Sequence, residues 1–432
     1  MRCTLLLSIS YFTTIPQIVM TTNTVSKQDN SYKYKSYQDS RKALMGTYAP
    51  PEFMFTHGEG AYLYTESKEQ YLDFISGIAV NSLGYGHPHL LQALHGQTDK
   101  LWHVSNLFRI PAAEDLSLRL CEFSFADKVF FTNSGTESVE CGLKMMRRYH
   151  FDNGNPERYR IIGTSNSFHG RTVAAVCASG NQSHMQGFVQ GDQGFDYVEF
   201  NNVEAVKQAI TNETAGIIVE PVQGEGGVRS ANPDYLTELR KLCDQHGILL
   251  MFDEVQCGVG RTGKLFAYEQ YGVAPDIMSL AKGLGGGFPL GACLATENVA
   301  KHMVIGTHGS TYGGNPLATT VGNAVLDVVS DPEFLKQVSH TGEQLKAELQ
   351  RMVNEFPALV DEVRGSGLML GLHCNKIENT QFLIKAREHK LLVGKAGDNV
   401  VRLLPPLVID SNHVSQAVDI METVLSDLSK EA

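Results

Sequence analysis

Between about residue 110 and residue 310 the chain alternates short β-rich runs with helical stretches, and most of the runs stop at a residue able to do chemistry. The runs fall at 129–131, 160–163, 216–219, 248–252, 277–280 and 290–295. Strands that alternate with helices build a mostly parallel sheet covered on both faces, and such sheets take their ligands outside the carboxyl ends of the strands. The first five runs meet Asn133-Ser134, His169, Glu220, Asp253 and Lys282 at or soon after that end. The expected fold class is α/β, with polar side chains gathered along one edge of the sheet.

Lys282 follows the apolar run 277–280 and opens into Gly283-Leu284-Gly285-Gly286-Gly287. An amine so placed can form a Schiff base with a carbonyl cofactor. Asp253 closes another apolar run, where a carboxylate is costly unless charge or hydrogen bonds satisfy it. Taken singly, each has a plainer reading: a solvated lysine before a glycine turn, and a carboxylate that caps a turn. Taken together they fit pyridoxal 5′-phosphate, whose aldehyde needs an amine and whose ring nitrogen needs an anion to stay protonated.

Other stretches fit the remaining parts of that cofactor. Ser134, Gly135 and Thr136 open a helix expected to run to about Tyr149. Free N–H groups and the dipole at a helix start bind a phosphate dianion, although Ser134 and Glu137 also match a plain capping box. Phe168 would cover a flat ring, and Arg171 would grip a carboxylate through two parallel hydrogen bonds. A core phenylalanine and a solvated arginine are the plainer readings of these two. Gly258-Val259-Gly260-Arg261-Thr262-Gly263 spells a dinucleotide pattern but follows its strand at a distance and opens no convincing helix. No P-loop, G-x-S-x-G elbow or H-E-x-x-H occurs.

At 432 residues the chain exceeds what one core usually serves. We expect an extension at 1–40, the first part of a small domain at 41–105, a large cofactor-binding domain at 106–315 and the rest of the small domain at 316–432. A net charge of −11 argues against a nucleic-acid partner, and no apolar run is long enough to span a bilayer. The 8 cysteines are scattered without paired spacing, which points to reduced thiols and a cytoplasmic setting. Residues 1–40 read as a flexible arm, an organellar presequence, or a stretch ahead of a start at Met20. Beyond 315 we expect helices at 317–329 and 332–356, strands at 363–372 and 400–404, and a last helix capped by Asp410-Ser411.

Six ordered motifs carry a family resemblance from about Tyr48 to the C-terminus. They are Asn133-Ser134-Gly135-Thr136-Glu137, Phe168-His169-Gly170-Arg171, the stretch 220–227, Asp253-Glu254-Val255-Gln256, Ala281-Lys282-Gly283 and the stretch 308–316. Together they closely resemble the class III pyridoxal-phosphate aminotransferases. The resemblance implies a fold type I transferase with a large, mostly parallel-sheet domain and a smaller α+β domain. It implies Lys282 as the Schiff-base lysine and proton shuttle, Asp253 at the ring nitrogen and Gln256 at the ring oxygen, within a cofactor-binding stretch that includes Glu254 and Val255. Ser134, Gly135 and Thr136 would hold the phosphate, and Phe168 would stack on the ring. Thr311 and Ser310 would reach the site from the partner subunit of a homodimer. Arg171 would contact the amino donor, Arg402 would anchor the α-carboxylate of glutamate, and Glu225 would mask Arg402 between half-reactions.

Within the family, the stretches 77–84 and 101–107 resemble the acetylornithine branch, with Ile78 where ornithine-specific relatives carry tyrosine. The reaction so implied moves the distal amino group of N2-acetyl-L-ornithine to 2-oxoglutarate. Ornithine, succinylornithine and 4-aminobutyrate are the alternative donors, and a nucleotide-dependent oxidoreductase or a cofactor-binding protein without turnover is the alternative from another class.

Overall fold

Seven strands form the central sheet: β1 (Lys128–Thr132), β2 (Arg160–Thr164), β3 (Phe195–Val198), β4 (Thr214–Val219), β5 (Leu249–Asp253), β6 (Ile277–Leu280) and β7 (Gly291–Ala295), in the order β1-β7-β6-β5-β4-β2-β3. The computed structural model describes residues 41–431, so the expectations for residues 1–40 lie outside it. Only β7 runs against its neighbours. Every residue of β4 to β7 is buried, the pattern of strands covered on both faces.

Alternation along β5 explains how it is covered. Leu249 and Met251 face the helix Gly135–Asp152 through Val139, Leu143 and Met146. Leu250 and Phe252 face the helix Pro233–His246 through Leu236, Leu239 and Cys243. One strand, β3, is absent from the runs legible in the sequence. This edge strand, Phe195-Asp196-Tyr197-Val198, pairs only with β2 and buries just its two ends, which leaves little apolar signal.

After the sheet come helices Pro316–Val329 and Pro332–Glu355, the second capped by Asp331, whose carboxylate accepts the Glu333 amide. The apolar stretch at 363–372 is a hairpin rather than one strand. Val360–Ser366 and Met369–Cys374 pair antiparallel around Gly367, whose φ of +56° favours glycine. They join Val400–Leu403 and Gly394–Ala396 in a four-stranded sheet, and the helix Ser411–Glu431 starts where Asp410 accepts the amides of Asn412 and His413.

A further sheet joins Phe55–Glu59, Tyr62–Thr65 and Gln70–Asp73 to Leu391–Leu392. Residues from both ends of the chain thus share one core, in which Ala61, Leu72 and Phe74 cluster with Leu345, Leu370 and Leu425. Residues 41–54 belong to a unit of their own, in which an Arg41 guanidinium N–H donates to the Tyr48 carbonyl. No helix among the described residues is long and apolar enough to cross a membrane.

Candidate active site

A cavity of about 420 Å³ opens at the carboxyl ends of β1, β2, β4, β5 and β6. Its wall includes Ser134, Gly135, Thr136, Phe168, Arg171, Glu225, Asp253, Val255, Gln256 and Lys282, so ten of the fourteen residues singled out in the sequence face one space. This is where an open α/β sheet places its ligand.

Lys282 follows β6 with a φ of +44°, a left-handed conformation that costs a side-chain-bearing residue of order 1 kcal/mol. The Ser82 hydroxyl helps to hold that turn by donating to the Gly283 carbonyl at 3.1 Å. Among the described residues nothing hydrogen-bonds the Lys282 amine. Burial, and then the positive charge of Arg402, push its pKa down to about 8 against the opposing pull of Glu225, Asp253 and Glu220.

Asp253 ends β5 with its side chain 4 % exposed. Its Oδ1 accepts the Val255 amide at 3.0 Å and its Oδ2 meets Nδ1 of the fully buried His169 at 2.7 Å. The sequence required some partner for this carboxylate, and within the chain that partner is His169. Burial opposes charge on the His169 ring, yet the Asp253 hydrogen bond and the nearby carboxylates outweigh it and raise its pKa. Its Nε2 is buried with no partner. Glu220 lies under the same cluster, where burial pushes it up to about 7. Its carboxylate accepts the amides of Phe168 at 2.9 Å and Gly224 at 3.3 Å, which fixes the backbone that presents Phe168.

The helix Gly135–Asp152 begins directly after β1. Ser134 caps it by accepting the Glu137 amide at 3.4 Å, and Glu137 returns to the Asn133 amide at 2.6 Å. The capping and phosphate readings coexist, because the first amides of a helix have no partner within it. Gly135 lies so close to Val255 that a Cβ there would come within 2.6 Å of a Val255 methyl.

Two arginines were expected to serve the site, and Arg171 alone of them lines the cavity. Arg171 is exposed, pairs with no carboxylate among the described residues and lies 5.5 Å from the Phe168 ring centre. Arg402, from the Val400–Leu403 strand, is 3 % exposed and donates to Glu225 at 2.6 Å and to the Gln256 side-chain oxygen at 3.1 Å.

Besides Arg402, three expected residues do not line the cavity. The buried Glu254 carboxylate turns away from the cavity to accept the Ala267 and Tyr268 amides at 2.6 and 2.7 Å, because burial demands those hydrogen bonds. Its side chain therefore does not serve the cavity as expected. Ser310 accepts the Gly313 amide and Thr311 is exposed; neither lines the cavity of its own chain.

The aminotransferase class-III family model matches residues 46–425. The chain belongs to the class-III aminotransferases. Acetylornithine aminotransferase of Mesorhizobium japonicum is 54% identical over 380 residues, covering 88% of this chain and 95% of that one. Among solved structures, ornithine aminotransferase from Toxoplasma gondii superimposes with a TM-score of 0.88 at 30% identity, over 93% of this chain and 97% of its own. N-acetylornithine aminotransferase from Stenotrophomonas maltophilia gives 0.78 at 36% identity, over 89% and 98%.

This class-III aminotransferase depends on pyridoxal 5′-phosphate, and its cavity fits that group on independent grounds. The helix start offers unpaired amides to a dianion, Gly135 leaves its side of the cradle clear of a side chain, and the Lys282 amine is unbonded and easily made neutral. It exchanges an amino group between an amine donor and an oxo acid.

Proposed function

We propose that this enzyme transfers the distal amino group of N2-acetyl-L-ornithine to 2-oxoglutarate in the cytoplasm, as a homodimer. The observation that carries the choice of donor is the 54% identity, over most of both chains, to a protein named acetylornithine aminotransferase. Ile78 agrees with it: the side chain is 44% exposed, stands two residues before Val80 on the cavity wall and offers no hydroxyl to a free α-amino group.

Pyridoxal phosphate, when bound, supplies an electron sink and carries the amino group between half-reactions. The chain supplies the rest. Lys282 gives the amine that holds the cofactor and moves a proton at its Nζ. Asp253, oriented by His169 and the Val255 amide, would hold a negative charge for the ring nitrogen, Gln256 would serve the ring oxygen and Phe168 would stack on the ring. Ser134, Gly135 and Thr136 would hold the phosphate. Arg171 receives the donor's carboxylate, and Arg402 receives that of the oxo acid when Glu225 moves aside. A single cavity must accept two unlike substrates in turn, and a neutralised arginine that can be unmasked serves that alternation.

The dimer reading draws on a shared apolar surface. Asn106 donates to the carbonyls of Ser310 and Gly313, which brings the exposed Leu107 and Phe108 to the stretch holding Ser310, Thr311 and Tyr312. Covering that surface with a second copy would carry Ser310 and Thr311 toward the other cavity.

The deciding experiment compares kcat/KM for N2-acetyl-L-ornithine, N2-succinyl-L-ornithine, L-ornithine and 4-aminobutyrate with 2-oxoglutarate as acceptor. We expect the acetylated donor to lead ornithine by at least about tenfold. A lead for ornithine or 4-aminobutyrate refutes the assignment.

A further inference from the structure

The glycine-rich stretch 258–263, which fails as a nucleotide fingerprint, buries one of the largest side chains in the protein. Arg261 is 2% exposed, and no carboxylate lies within ion-pair distance of it among the described residues. Its Nη1 donates to the carbonyls of Leu368 at 3.0 Å and Pro405 at 2.5 Å, while Nη2 is buried with no partner. A buried cation held by carbonyls is expensive and persists where geometry demands it. Burial opposes its charge, and the anion that supports it is Asp73.

Asp73 is itself fully buried. Its Oδ1 accepts the amides of Ile75 and Ser76, both at 2.9 Å, and its Oδ2 accepts the Tyr85 hydroxyl at 2.6 Å. Those amides start a left-handed run, Ser76, Gly77, Ile78 and Ala79, with φ of 43°, 65°, 66° and 61°. Three of the four carry side chains and are strained there, so the run persists only because its surroundings impose it.

Both groups converge on one short piece of backbone. The Leu404 amide donates to the Phe74 carbonyl at 2.7 Å, and the Ser76 hydroxyl donates to the Leu404 carbonyl at 2.6 Å. Arg261 takes the next carbonyl, that of Pro405. Leu404 and Pro405 follow Arg402 by two and three residues, so this frame sets where the strand delivers the Arg402 guanidinium to Glu225 and Gln256.

We propose that Arg261 and Asp73 are positioning residues for the acceptor half-reaction: a buried guanidinium and carboxylate that clamp Leu404-Pro405 and thereby aim Arg402 at the oxo acid. The proposal rests on Arg402 as the acceptor anchor. A residue that merely fills the core would, when changed, lower stability and impair both half-reactions alike. In a ping-pong enzyme kcat/KM for each substrate reports its own half-reaction, so the two roles separate.

The test uses holoenzyme carrying Arg261→Lys, Asp73→Asn or, as reference, Arg402→Ala, with N2-acetyl-L-ornithine and 2-oxoglutarate varied separately. Arg261→Lys should lower kcat/KM for 2-oxoglutarate roughly ten- to a hundredfold, as a displacement near 1 Å does, while the donor value stays within about twofold; Asp73→Asn, which also loosens the run that carries Ile78, should lower the acceptor value more than the donor value. Equal losses for both substrates, or no loss for the acceptor, overturn the proposal. If instead Arg402→Ala spares the acceptor value, the anchor assignment itself falls. Should Arg261→Lys fail to fold, Asp73→Asn decides by the larger acceptor loss, since it removes the charge that supports Arg261 while an asparagine oxygen, still able to accept the Ile75 and Ser76 amides, lets the chain fold.

Discussion

The depressed pKa of Lys282 has a measurable consequence for how the enzyme takes up its cofactor. Only the neutral amine adds to an aldehyde. With the pKa lowered from 10.5 to about 8, roughly a quarter of the amine is neutral at pH 7.5, against about a thousandth for an ordinary lysine. The rate at which cofactor-free enzyme binds pyridoxal phosphate covalently should therefore rise with pH and level off near 8, and at pH 7.5 it should exceed that of an unperturbed amine on the order of 200-fold. Stopped-flow absorbance between pH 6.5 and 10 reads this directly. Replacing Arg402, the second cause of the depression, with alanine should move the midpoint upward. A rate that climbs without levelling past pH 9.5 would refute the argument.

The same shift is a stability statement for the cofactor-free protein. Between about pH 8 and 10.5 the unfolded chain binds the proton that the folded chain does not, so stability rises with pH across that window and the full penalty is present below it. That penalty is at most about 3 kcal/mol, the size of the shift itself. Lys282→Met should accordingly raise the melting temperature of the cofactor-free protein at pH 7 and lose that advantage by pH 10.5.

Three further outcomes follow from the site. Gly135→Ala places a methyl within 2.6 Å of Val255, an overpacking of about 1–3 kcal/mol, and should weaken cofactor affinity roughly five- to a hundredfold in an equilibrium titration. His169→Phe removes a hydrogen bond to a buried carboxylate, worth about 1.5–3 kcal/mol, and kcat should fall at least about tenfold with cofactor content preserved; an unchanged kcat would remove His169 from the account. Glu225→Ala leaves Arg402 unmasked, so single-turnover rates with N2-acetyl-L-ornithine should fall while those with L-glutamate hold, and equal losses would contradict the masking role.

Much of this site was legible in the sequence because strand ends are a simple code. An apolar run that closes on Asp253, and another that is followed by Lys282, locate their side chains without any knowledge of the sheet order. The Asp410 cap was equally plain, since its carboxylate serves amides within the next few residues. What escaped was set by partners far away in the chain. His169 and Asp253 are 84 residues apart, and nothing local says that the ring turns inward to the carboxylate. Glu254 stands beside Asp253 in a motif, yet alternation along the chain sends its carboxylate to the Ala267 and Tyr268 amides. Arg261 was read only as part of a failed glycine pattern, because its acceptors, Leu368 and Pro405, lie 107 and 144 residues onward.

The central claim is that Lys282 is the residue that holds the cofactor. Borohydride reduction of the holoenzyme, followed by proteolysis and mass spectrometry, tests it without reference to any substrate. One phosphopyridoxyl group per chain is expected, on the peptide that contains Lys282. A label on another lysine, or none on a protein that retains transaminase activity, would contradict it.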